Sequence, residues 1–132
     1  MVQQQNNIGR YFTIEEAMKA LSLIKSIGIE IIFYSNVVKE YAESGFTRIA
    51  DHYQKKVRDL ISEIEELGVI YRDWNGTQYL IEFPSVINNL EVSLSWKSDE
   101  EKIEYFHMPW RSYSGRERIP IDYLKLFYQD KQ

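Results

Sequence analysis

The spacing of apolar positions changes twice along the chain, and each change marks a change of element. Residues 1–10, "MVQQQNNIGR", are polar and carry no period. From "FTIEEA" onward, Ala17, Ala20, Ile24, Ile27, Ile31, Tyr34, Val38 and Tyr41 recur at alternating steps of three and four. That spacing lines one side of a helix. Thr13 followed three residues later by Glu16 has the capping-box spacing, and Phe12 is placed to staple the first turn. The pattern predicts one helix from Thr13 to about Glu43, roughly 46 Å long at 1.5 Å per residue. Gly28 lies inside it, at a cost of about 1 kcal/mol relative to Ala, and leaves room for another helix to come close. Ser44–Gly45 breaks the helix. A second helix is predicted over about 47–67, with Ile49, Tyr53, Val57, Leu60, Ile61, Ile64 and Leu67 on one arc. Gly68 stops it, and the short connection makes the pair an antiparallel hairpin.

After Gly68 the period becomes two. "VIYRDW" and "TQYLIEF" flank Asn75–Gly76, a two-residue hairpin turn, and Pro84 ends or bulges the returning strand. Asn88–Asn89 makes a second turn. "LEVSLSW" alternates, with Leu90, Val92, Leu94 and Trp96 on one face and Glu91, Ser93 and Ser95 on the other. "IEYFHM" is a fourth strand ended by Pro109, 109–120 is irregular, and "IDYLKLFYQD" closes the chain as a short helix packing Leu124, Phe127 and Tyr128. The expected fold is α+β: a long antiparallel helical hairpin (11–67), then a four-stranded antiparallel β-meander (69–108), then a loop and short C-terminal helix (109–132). All of it, 1–132, is expected to be one domain.

Composition narrows the chemistry. The chain has 132 residues, 44% of them hydrophobic, enough for a core. There is no cysteine, which removes disulfides, thiolate ligands and thiol nucleophiles. The net charge of −4 argues against nucleic acid as a partner. The strongly apolar run Ile27–Phe33 carries a glutamate and is too short to span a bilayer. The first residues lack the order of a signal peptide. A cytoplasmic protein with no membrane association is expected. Ile, Tyr, Glu and Lys richness without Cys is a thermophile-like composition.

The motifs "FTIEEA", "EIEELGVIYRDW", "EFP", "LSW", "IEYFH" and "SGR" occur in that order. In this order and spacing the chain resembles the bacterial and archaeal domain of unknown function family 2203, over about residues 11 to 120. Members of that family look like "FTLEEA", "EIEALGV", "GLVDFP", "LCWR", "IxYWH" and "GFAGR". The resemblance implies a fold and no particular activity. It places the family's acidic position at Glu82, its histidine at His107, its Gly-Arg pair at Gly115–Arg116 and its cysteine at Ser95. A chemical role for that cysteine is closed to this chain.

Two readings attach to the polar residues of the second half. In the functional one, His107 beside Glu82 is a general base or ligand, and Arg111, Arg116 and Arg118, with a glycine beside serines, form an anion-binding loop in which Arg116 is the bidentate fork. In the plainer one, His107 is a strand histidine bonded to a carbonyl or to Glu82, and Arg116 ties its loop to the sheet through Glu82 or another carboxylate. With two histidines and no cysteine, no transition metal or other cofactor is expected. No nucleophile elbow, phosphate loop or metalloprotease helix is present.

On the first helix, Ile29, Ile32 and Phe33 lie away from the seam that faces helix two, and an uncovered patch of this kind marks an interface. The leading expectation is a non-enzymatic interaction or assembly module that forms a homo-oligomer, a two-fold dimer first, through its hairpin. The alternative is a small-ligand or anion-binding protein, hydrolytic in one version, with its site at Glu82, His107, Arg116 and Arg118.

Overall fold

A computed structural model describes residues 10–124. Helix α1 spans Ile14–Glu43 and α2 spans Thr47–Glu65. Strands β1 (Ile70–Trp74), β2 (Gln78–Ile87), β3 (Leu90–Lys97), β4 (Tyr105–His107) and β5 (Glu117–Arg118) follow, with a 3-10 turn at Tyr113–Gly115. They form one antiparallel sheet in the order β1-β2-β3-β4-β5. The expected four-strand meander therefore gains a two-residue fifth strand, because the irregular segment returns to pair Tyr105 with Arg118 and Phe106 with Glu117. Residues 121–124 are helical, and Leu124 packs against the core. The remainder of the expected closing helix, with Phe127 and Tyr128, lies outside the described residues.

Local chemistry explains the boundaries. Thr13 Oγ1 accepts from the Glu16 amide at 3.0 Å, and Glu16 Oε1 accepts from the Thr13 amide at 2.9 Å, which closes the capping box. Gly68 follows α2 at φ +96°, a conformation that suits glycine. Asn88 and Asn89, at φ 51° and 67°, make the two-residue β2–β3 turn. The β1–β2 loop holds three residues instead of the expected two, since Trp74 pairs with Gln78.

Pro84 does not end β2, which runs through it to Ile87. In an antiparallel strand a residue's N–H and C=O point to the same side. The Pro84 carbonyl accepts from the Phe12 amide at 2.7 Å, on the side where β1 has already ended at Ile70 opposite Glu82. The missing proline donor therefore leaves no ladder bond unmade. Ser85 Oγ donates to the Phe12 carbonyl at 2.5 Å, so the residues before α1 continue the edge that β1 leaves open.

The core lies between the hairpin's base and one sheet face. Ala17, Leu21, Ile24, Ile27 and Ile31 of α1 and Val57, Leu60 and Ile64 of α2 meet Tyr79, Ile81, Phe83, Val92, Leu94 and Trp96. Gly28 is the point of closest approach: an added Cβ would overlap the Tyr79 phenol. The neighbour it admits is thus a strand tyrosine, where a helix was expected. Beyond Ile31 no residue of α1 is buried, and in the first half of α2 only Ala50 is. This outer half is joined by aromatic contacts, Tyr34 on Tyr53 at 5.7 Å and Tyr53 on Tyr41 at 6.2 Å.

Candidate functional site

The opposite sheet face holds the polar residues. Cross-strand partners point to the same side, so the register places Arg72 with Leu80, Glu82 with Ser95, and Ser95 with Tyr105 there, and Ser93 sets His107 beside them. The segment 108–116 folds over this face. Three backbone hydrogen bonds shape it: Arg111 to Met108, Gly115 to Ser112 and Arg116 to Tyr113.

Glu82 and His107 are both buried, at 5% and 2% exposure, and their side chains meet, Nε2 to Oε2, at 3.2 Å. His107 Nδ1 lies 2.8 Å from the Met108 carbonyl oxygen. A carbonyl only accepts, so Nδ1 carries a hydrogen. Arg72 Nε reaches the same Glu82 oxygen at 3.3 Å. Oε1 of Glu82 has no hydrogen-bond partner among the described residues.

The two arginines lie elsewhere. Arg116 grips Glu100 with both guanidinium nitrogens, at 3.0 and 2.6 Å, and reaches the Ser95 carbonyl at 3.3 Å. Its guanidinium lies over Tyr105 at 4.2 Å and Tyr113 at 4.1 Å. Burial works against its charge, but the Glu100 carboxylate outweighs this and holds the guanidinium above its ordinary pKa. Arg118 is largely exposed, 4.0 Å from Glu104. The structure therefore brings Glu82 and His107 together and pairs Arg116 and Arg118 with other carboxylates. His52, on α2, turns its ring edge-on to Tyr53 at 5.0 Å. Among the described residues no group of three His, Asp or Glu side chains is placed to hold a metal ion.

Between the loop and the sheet runs a cleft of about 480 Å³, lined by Arg72, Asp73, Trp74, Leu80, Glu82, Arg111, Ser112, Tyr113 and Ser114. Of these, Glu82 and Arg111 were candidates from sequence. Strand alternation sets Arg72 on either face depending on register, so it carries no sequence signal of its own. Ser95 Oγ is buried without a hydrogen-bond partner among the described residues. It shares a strand face with Glu91 and Ser93, opposite the apolar one, and is nonetheless fully buried.

The hairpin carries the second candidate surface. Ile29 and Phe33 are 72% and 59% exposed, while Ile32 is half-buried. Ile29 and Ile32 also wall a groove of about 730 Å³, whose other side is formed by Gln78, Tyr79, Trp96 and residues 98–101. The most apolar 18-residue window of α1 has a mean hydropathy of 1.5, enough by length and composition to cross a membrane. The apolar character thus extends well beyond Ile27–Phe33. In this fold the helix's N-terminal half lies on the sheet.

A capped helical hairpin laid across one face of a five-stranded antiparallel meander defines an α+β protein with a polar second face. Residues 10–119 match the family described as uncharacterized conserved protein (DUF2203), and the chain belongs to that family. No curated protein and no solved structure matches it.

Proposed function

We propose that the protein is a non-enzymatic assembly module that pairs with a second copy of itself through α1. The observation that carries this reading is the exposure of Ile29 and Phe33, on a helix with no fully buried residue beyond Ile31. An isologous contact places residue i against j and j against i. Two α1 helices crossing antiparallel between Ile29 and Phe33 would set each Ile29 on its partner's Phe33. The same arrangement brings the exposed Lys25 end of one helix toward the Glu40 and Glu43 end of the other. The two hairpins then form a four-helix bundle. The state of His107 supports a structural role over a catalytic one: both ring nitrogens are engaged and the side chain is sealed.

Light scattering on a sizing column at tens of micromolar tests this. The expected mass is about twice the 15.8 kDa of one chain. Ile29→Glu with Phe33→Glu should give a folded monomer with an unchanged circular dichroism spectrum. A wild-type monomer overturns the proposal. So does a wild-type chain that stays monomeric while sedimenting with phosphatidylglycerol vesicles, which would give the apolar side of α1 to a membrane surface.

A further inference from the structure

The geometry points to the cleft on the polar sheet face as a binding site for a small planar organic carboxylate that also carries a hydrogen-bond donor.

Charge comes first. The whole chain is acidic, at −4. The cleft lining is not. Arg72 and Arg111 contribute two positive charges and Asp73 one negative charge. Glu82 contributes a second negative charge, so the formal charges of the lining balance. Arg72 spends its charge on Glu82 at 3.3 Å, which leaves Arg111 as the cation of the lining with no ion-pair partner among the described residues. Lys97, at the rim, pairs with Asp99 at 3.7 Å and lies 4.9 Å from the centre of the Trp74 ring. An unpaired guanidinium beside low-dielectric walls attracts an anion.

The donors are arranged for an oxyanion. Arg111 is exposed, and its guanidinium has no ion-pair partner among the described residues. Its stem lies on Gly115, where any Cβ would crowd it, so the bare glycine sets the arginine's course. Ser112 and Ser114 present hydroxyls 3.3 Å apart beside it. A planar guanidinium with neighbouring hydroxyls suits a carboxylate held through two oxygens. The loop carrying these three residues is fastened at its end, where Arg116 grips Glu100 and reaches the Ser95 carbonyl, so its backbone is set before a ligand arrives.

Shape and the floor define the rest of the ligand. Trp74 and Tyr113 meet with ring centres 4.7 Å apart and planes tilted by 50°, and line the cleft as an aromatic corner, with Leu80 beneath. A corner of this kind takes the edge of a flat ring, and the volume falls in the range of ordinary ligand pockets. Glu82 Oε1 remains an acceptor, since His107 and Arg72 both meet Oε2. A hydroxyl or amino group across the ring from the carboxylate would satisfy it.

The probes are 4-hydroxybenzoate, benzoate and the neutral benzamide, each titrated into the full chain and followed by amide and indole NMR shifts. The expected result is saturable binding of 4-hydroxybenzoate that moves the Trp74 indole and the Ser112–Ser114 amides. Benzoate should bind several-fold more weakly and benzamide not measurably. Arg111→Met should weaken 4-hydroxybenzoate by about tenfold or more without changing the melting temperature, since methionine keeps the stem on Gly115 and the guanidinium has no ion-pair partner to lose among the described residues. No saturation by about 10 mM overturns the site. Equal binding of benzamide, or wild-type affinity in Arg111→Met, overturns the anion reading. Equal affinity for benzoate and 4-hydroxybenzoate overturns the contact assigned to Glu82.

Discussion

Arg116 and Glu100 meet fork to fork, Nη1 to Oε1 and Nη2 to Oε2, and this pair joins the segment after β4 to the connection before it. The same guanidinium reaches the Ser95 carbonyl and lies against two tyrosine rings. A parallel pair of charged hydrogen bonds is stronger than a single contact. Its side chains are 11% and 21% exposed, so water screens it only in part.

Arg116→Ala removes all of these contacts and leaves Glu100 without its guanidinium partner. The expected loss of stability is about 3 kcal/mol. Arg116→Lys keeps the charge but loses the fork and should recover only a minor part. Urea denaturation of the three proteins checks this, and an unperturbed midpoint in Arg116→Ala would deny the pair its role as the loop's tether.

The hairpin, the capping box and the Asn88–Asn89 turn were legible in sequence because each depends on residues near one another in the chain. The polar face was not, and one loop residue shows why. A two-residue turn at Asn75–Gly76 pairs Trp74 with Thr77, which sets Arg72 opposite Tyr79 on the core face. The loop has three residues, so Arg72 pairs with Leu80 and shares the face of Glu82. A shift of one residue moves every side chain of β1 to the other side of the sheet. The partner of Arg116 was hidden for a different reason. "KSDEEK" offers three carboxylates in a charged loop, and which one meets Arg116 is fixed only when the loop folds back.

Gly28→Ala should destabilise the fold, against helix propensity. Alanine in a helix interior gains about 1 kcal/mol over glycine. Here the new methyl would overlap Tyr79, whose ring cannot move freely: it stacks on Tyr71 at 5.4 Å and abuts Trp96 at 5.7 Å. The expected net loss is about 1–3 kcal/mol. Adding Tyr79→Val should recover stability relative to Gly28→Ala alone, and a cycle showing no such coupling would mean the helix and strand are not in contact there.

Ser95→Ala should hold or raise stability. A buried hydroxyl without a partner costs about 1–3 kcal/mol in desolvation, and alanine removes the group at little loss of volume. Thermal melting checks it. A clear fall in melting temperature would show that the hydroxyl has a partner, a bound water being the first to seek.

Alkaline pH should weaken the fold through the tyrosines behind Gly28. Burial pushes the Tyr79 phenol up from the ordinary 10.0 to about 12, and burial with the nearby Asp73 charge raises Tyr71 as well. The unfolded chain therefore loses these protons at lower pH than the folded one. The unfolded state binds fewer protons once pH exceeds 10, so stability falls as pH rises. Their contribution is intact below pH 10 and is lost progressively as pH climbs from 10 towards 12. Urea midpoints measured at pH 8, 9, 10 and 11 should be flat at first and then decline. Tyr79→Phe removes one of the two titrating phenols and should make that decline shallower. An unchanged slope in the variant would mean that Tyr79 ionises in the folded protein as readily as in the unfolded chain.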